Sequence, residues 1–412
     1  MKALLTSRTA RAVATVVAVF LFYLTSMLFF LLYRYEGNYS TFLHISSQKL
    51  RQNPLTQNTD INRKLKILDD TGYDGQFFYF MAYDPLLTAL KDPADYRNVV
   101  DLPVFRYRRM GFAFVTHFLS AGKPEIYPFT MMWLILLSHV IGATCLVKIA
   151  IAYAKEPLWA LLYILIPGYS VSLLYGLPES IAGALLLAGF YFTIKKKTTP
   201  SVICFAMSLM FRETGILFIG IAGLMEAYRT RTARNGFKIW SAVIPYLFWR
   251  VYVTWKLSGD SWWAGFFLEP PNLTVPLQGV IELITRIFSG SYSGHFIYAG
   301  VVYPVLLLGL VILSILALRL ERTPQAIALL CYSALALCLN FEKVWIHVAN
   351  AERQTFEGFL CLLLVFLSLP ANAINLKRLF AVFFAALFFY DFYLSVSSES
   401  FRALLHWARE II

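Results

Sequence analysis

The stretch "ARAVATVVAVFLFYLTSMLFFLLY", Ala10 to Tyr33, carries one charge, Arg11, in twenty-four residues. A helix needs about 20 apolar residues to cross a bilayer, so this run is long enough. Lys2 and Arg8 precede it, as in a secretory leader. The run is too long for the apolar part of a leader, and no small-residue cleavage site follows. The expectation is an uncleaved first span.

The rest of the chain extends that reading. Of 412 residues, 58% are hydrophobic and 15% charged, and the mean hydropathy is +0.62. A water-soluble domain has no way to hide that much apolar surface. Long apolar runs, rather than short alternating ones, exclude a barrel and predict an all-α polytopic membrane protein. Further spans are expected at Tyr127–Ala154, Leu158–Tyr175, Pro178–Ile194, Ser201–Phe211, Thr214–Tyr228 and Ile239–Trp255. Four more are expected at Phe296–Leu318, Gln325–Phe341, Phe356–Leu369 and Leu379–Val396, for about eleven in one transmembrane domain over residues 1–412. The five cysteines lie in apolar runs without CxxC spacing and read as small core residues. The net charge of +12 is not gathered into a basic, aromatic-interleaved module, so nucleic acid is not an expected partner. Membrane lipids are.

Lys and Arg set the orientation. With Lys2, Arg8 and Arg11 in the cytoplasm, the same side receives Lys155, Lys195–Lys197, Arg229, Arg231, Arg234 and Lys238. It also receives Arg319, Arg322, Lys377 and Arg378, so the short loops obey the positive-inside rule. The C-terminus and two long segments, residues 34–126 and 256–295, then fall outside. Within them "YFMAYDP", "FRYRRMGFAFVTHFLSAG" and "VPLQGVIELITRIF" have the spacing of short interfacial helices. The outer side also collects "LDDTGYDGQ", "YGLPES", "MFRETG" and "EKVWIHVANAERQTFE", which hold most of the membrane-level acids.

This layout resembles the GT-C glycosyltransferases, which take sugar from a polyprenyl-phosphate carrier on the extracytoplasmic or lumenal side. "YDGQFFYFMAYDP" followed by "FRYRRMGF" is similar to bacterial integral-membrane proteins related to the mannosyltransferases of glycolipid-anchor synthesis. The resemblance implies a GT-C-like helical bundle in a bacterial inner membrane. It also implies a polyprenyl-phosphate-linked sugar donor, a hexose such as mannose or a pentose, and a lipid or glycan acceptor. Family members use an acid in the first outer loop as catalytic base, and Asp74 matches that position.

The chemistry supports the same choice. Transfer to a hydroxyl needs a carboxylate to accept the acceptor proton. A phosphate leaving group departs as a stable anion and needs no second carboxylate as acid, unlike glycoside hydrolysis. The alternative for Asp74 is a helix N-cap. Asp70, beside Asp69, reads as a solvated turn, an acceptor contact or an oxygen ligand for Mg²⁺ or Mn²⁺; no metal ligand is assigned. Gln76, Tyr79 and Arg109 are candidate substrate contacts, with packing the alternative for Tyr79. Glu179 is a candidate sugar-hydroxyl contact. Arg212 is a candidate phosphate ligand beside Glu213, and an ion pair is their alternative. Arg353 is a second phosphate candidate. Two other functions fit the same composition: a transporter or lipid flippase, and a noncatalytic assembly protein on the same fold.

Overall fold

The computed structural model describes residues 7–57, 64–258, 262–267, 272–292 and 294–397. The expectation for the C-terminus falls outside them. The described chain is mostly helical. Its one regular sheet pairs β1 (Ile45–Ser46) in parallel with β2 (Ile67–Leu68). The chain forms two compact units, Met1–Leu161 with Tyr169–Pro270, and Leu162–Gly168 with Pro271–Ile412.

The first unit contains α1 (Arg8–Phe29), α2 (Asp74–Met81), α3 (Gly111–Leu119), α4 (Tyr127–Ala152), α5 (Glu179–Ile194) and α6 (Thr198–Phe211). It continues with α7 (Ile216–Thr230), α8 (Ala233–Trp240), α9 (Val243–Ser258) and α10 (Trp262–Phe267). Ser7 caps α1 by accepting from the Ala10 amide at 3.0 Å. Tyr23 of α1 stacks on His139 of α4 with ring centroids 3.6 Å apart. At the basic end of α1, Arg8 donates to the Lys155 carbonyl at 2.8 Å and Arg11 pairs with Glu156 at 3.0 Å. Two regions that the Lys and Arg pattern assigns to one side thus meet.

Small residues bring α5 and α6 together. A Cβ on Gly189 would come within 2.4 Å of the Phe205 ring. Ser201 and Ser208 of α6 donate across to the carbonyls of Gly189 and Ala182, at 2.9 and 2.8 Å. Close backbones and interhelical hydroxyl bonds of this kind hold apolar helices together where burial from water gives no drive.

The second unit contains α11 (Gln278–Phe288), α12 (His295–Leu320), α13 (Pro324–Leu337), α14 (Val348–Gln354), α15 (Phe356–Ser368) and α16 (Ile374–Ser397). Tyr303 of α12 bonds Thr355 at 2.6 Å, and Tyr390 of α16 donates to Glu352 of α14 at 2.5 Å.

Each of the eleven apolar stretches contains helix, several within a residue or two of the expected bounds, but the helices differ in whether they are long enough to cross. Among the described residues three helical segments, Arg8–Arg34, Pro124–Ala152 and Phe296–Leu320, are long and apolar enough to cross a membrane. A fourth exists if Pro157–Leu165 and Pro167–Tyr175, bent by 60° at their junction, form one span. The apolar helices α5, α6, α13 and α15 are shorter. At 1.5 Å per residue, a 14-residue helix such as α6 reaches only about 21 Å, less than the ~30 Å hydrocarbon core.

Candidate functional site

The loop ahead of α2 is tied in place by side chains that the sequence marks. Asp70 Oδ1 accepts from the Gly72 amide at 2.8 Å, closing a turn at φ +69°, where glycine is favoured. Gln76 reaches back from α2. Its Nε2 donates to the Thr71 carbonyl at 3.1 Å, and its Oε1 accepts from the Ser46 amide at 3.0 Å. The Tyr73 amide donates to the His44 carbonyl at 3.0 Å. Gly75 permits the closest contact, since a Cβ there would lie 2.3 Å from the Tyr175 carbonyl. Asp70 and Gln76 therefore shape the loop on which Asp74 stands.

Asp74 is the first residue of α2, and Tyr73 occupies the cap position. Its Oδ1 lies 2.9 Å from Arg106 Nη2, with the Asp74 side chain 23% exposed. Arg106 also holds Asp101, through Nε at 2.7 Å and Nη2 at 3.2 Å, and its guanidinium lies 4.4 Å from the centre of the Phe77 ring. Burial pulls the Arg106 pKa down. Asp74 and Asp101 outweigh that and raise it above the ordinary arginine value, so the cation is retained.

Two further acid–arginine pairs belong to this unit. Arg109 grips Glu213 with two bonds, Nε to Oε2 at 2.7 Å and Nη2 to Oε1 at 2.5 Å. Its guanidinium sits 4.7 Å from the centre of the Phe105 ring, and Arg106 sits 5.9 Å from the same ring. Burial pushes the Glu213 carboxyl up, but Arg109 overrides this and brings it down to about 2. Arg212 pairs instead with Glu179 at 2.7 Å, both side chains being 1% exposed. Ser172 donates to the other Glu179 oxygen at 3.3 Å, and Arg212 Nε donates to Thr214 at 3.0 Å. The neighbours Arg212 and Glu213 thus take different partners.

The remaining candidates belong to the second unit or are packed. Tyr79 is fully buried, bonds the Tyr83 hydroxyl at 2.8 Å and meets the Tyr127 ring edge-on. Burial raises its pKa far above the ordinary tyrosine value. Arg353 is buried in the second unit. Asp84, the acid of "YFMAYDP", is structural. It accepts from the Thr88 and Ala89 amides, each at 2.8 Å, and from the Tyr96 hydroxyl. Among the described residues no group of three or more His, Cys, Asp or Glu side chains is placed to hold a metal ion.

Asp101 and the ring-lined seat of Arg106 are what sequence reasoning passed over. The run "FRYRR" offers three arginines without distinguishing them. Their fates differ: Arg106 meets Asp74, Arg109 meets Glu213, and Arg108 donates to the carbonyls of Gly265 and Phe266 at 3.0 and 3.2 Å. Arg250 shares the Phe266 carbonyl at 2.5 Å, so two arginines bind the end of α10.

The fold and this cluster define a mostly helical chain, with helices long and apolar enough to cross a membrane and a row of acid–arginine pairs built from distant motifs. No family model, curated protein or solved structure matches the chain.

Proposed function

We propose that the protein is an integral membrane glycosyltransferase that moves a sugar from a polyprenyl-phosphate carrier to a lipid or glycan hydroxyl outside the cytoplasm. Asp74 is the general base in this reading. The observation that carries it is the Asp74–Arg106 pair, a partly exposed carboxylate held at a helix start by a charged arginine. A carboxylate at that place is the kind of group that accepts the acceptor proton.

The transfer is a single displacement. The acceptor oxygen attacks the anomeric carbon while its proton passes to Asp74. The bond from that carbon to the phosphate oxygen breaks, and carrier phosphate leaves with the electron pair. The configuration at carbon is inverted. Arg106 has a second role here. An incoming phosphate competes with Asp74 for its fork of donors, which frees the carboxylate as the donor substrate binds. Arg212, paired with Glu179, bonded to Thr214 and almost fully buried, is assigned to the scaffold rather than to the phosphate.

Mass spectrometry of glycolipids and surface glycans from cells with and without the protein tests the proposal. Loss of one glycosylated species, with accumulation of its unglycosylated acceptor, is expected. Identical profiles would reject glycosyl transfer and favour the transport or assembly readings.

A further inference from the structure

At the far end of α5, α6 and α7 from the Glu179–Arg212 pair lies a cavity of about 260 Å³. Glu179 begins α5 and Thr193 is near its end, so about 20 Å of helix separates the two places. Lys196, Lys197, Arg229 and Lys238 line the cavity against a single acid, Glu226. Glu226 is occupied by Arg229 at 2.9 Å. The other three cations face a wall of hydroxyl and amide groups, among them Ser201, Thr230 and Asn235.

The helix ends add to the positive field. Thr198 opens the 14-residue helix α6 at the cavity, and Lys197 in the cap position supplies no side-chain capping bond. Backbone N–H groups of a helix start favour an anion. Exposed aromatic residues adjoin two of the cations in sequence. Tyr228 is next to Arg229 and Phe237 next to Lys238, and both are exposed, at 79% and 62%. Cations that gather an anion beside rings left in the open match a ligand with a phosphate head and an apolar body.

We propose that this cavity binds the phosphate of an anionic phospholipid headgroup. It does so at the end of the bundle that the Lys and Arg pattern assigns to the cytoplasm. The proposal does not depend on glycosyl transfer. The phosphate takes Lys197, Lys238 and the start of α6, while the acyl chains follow the apolar flanks.

The test uses the full chain, purified in detergent, stripped of lipid and titrated by native mass spectrometry. Its probes are phosphatidylglycerol, phosphatidylcholine and inorganic phosphate. Phosphatidylglycerol is expected to bind at least about tenfold more tightly than phosphatidylcholine, since each basic side chain near an anionic lipid contributes on the order of a few-fold. The triple variant Lys197→Gln, Arg229→Gln, Lys238→Gln should lose that preference. Glu226→Gln, which removes the one opposing charge, should tighten phosphatidylglycerol binding several-fold. It gives an independent reading should the triple variant fail to fold. Equal affinity for the two lipids, an unchanged preference in the triple variant, or no tightening in Glu226→Gln would overturn the proposal. Inorganic phosphate that binds as tightly as phosphatidylglycerol would also overturn it, reassigning the cavity to a free phosphate ion.

Discussion

Arg106 holds Asp74 and Asp101 at once, at 2.9 Å and 2.7 Å, and so fastens the start of α2 to the segment that follows it in the same loop. In the proposed transfer reaction the cation would neutralise Asp74 while the site is empty and turn to the carrier phosphate when it binds. The structural role is fixed by the two ion pairs, and the ligand-dependent one belongs to the proposed reaction.

Arg106 is therefore expected to govern carrier binding. In monodisperse detergent-purified protein, Arg106→Ala should weaken polyprenyl-phosphate binding at least about tenfold, in line with loss of a charge-assisted contact. Arg106→Lys should fall between, since it retains the charge but loses the planar fork. Unchanged affinity in well-folded Arg106→Ala would move the phosphate elsewhere.

Arg212 should behave as a scaffold residue. Removing one member of a buried pair leaves the other charge uncompensated, at a cost of about 3–5 kcal/mol. Thermal unfolding should show Arg212→Met and Glu179→Leu each strongly destabilised, and the double variant much less so. Single variants as stable as wild type would show that neither charge depends on the other.

The Glu213 pair sets a response to acid. Its carboxyl is held at about 2 in the folded protein against 4.5 ordinarily. A depressed carboxyl contributes stability that is fully present above about pH 4.5 and drains away as pH falls toward 2. Glu213→Gln should flatten the unfolding profile across that window, and an equally steep profile in the variant would assign the acid response to other groups.

Glu352 works in the opposite direction. Burial lifts its carboxyl to about 7, opposed by the bond from Tyr390. A raised carboxyl favours the folded state most below its ordinary value of 4.5, and that stability is lost as pH climbs through about 7. Unfolding temperatures measured from pH 4 to 8 should decline in wild type and decline less in Glu352→Gln. Parallel curves would contradict the assignment.

The helical class and the positions of the apolar elements were legible because hydropathy and helix breakers are local signals. "YGLPES" and "MFRETG" do interrupt helices, before α5 and between α6 and α7. Which charges pair was not legible. Arg212 and Glu213 are adjacent in sequence, yet their side chains meet Glu179 and Arg109, choices set by tertiary packing. Span number was not legible for a related reason. Composition registers an apolar helix whether it is long enough to cross or ends, as α6 does, after 14 residues. For Tyr79 the sequence left substrate contact and packing both open, because burial has no signature in a stretch that is aromatic throughout.

The central claim is that Asp74 accepts the acceptor proton. Its most direct test is the quantity of glycosylated product in cells lacking the protein and supplied with either wild type or Asp74→Asn. The substitution keeps size and hydrogen bonding but removes the base, so wild type should restore the product. Asp74→Asn should give a rate lower by at least about a hundredfold, the usual span of general-base catalysis, while reaching the same level in the membrane. Restoration by Asp74→Asn at the wild-type rate would contradict the account.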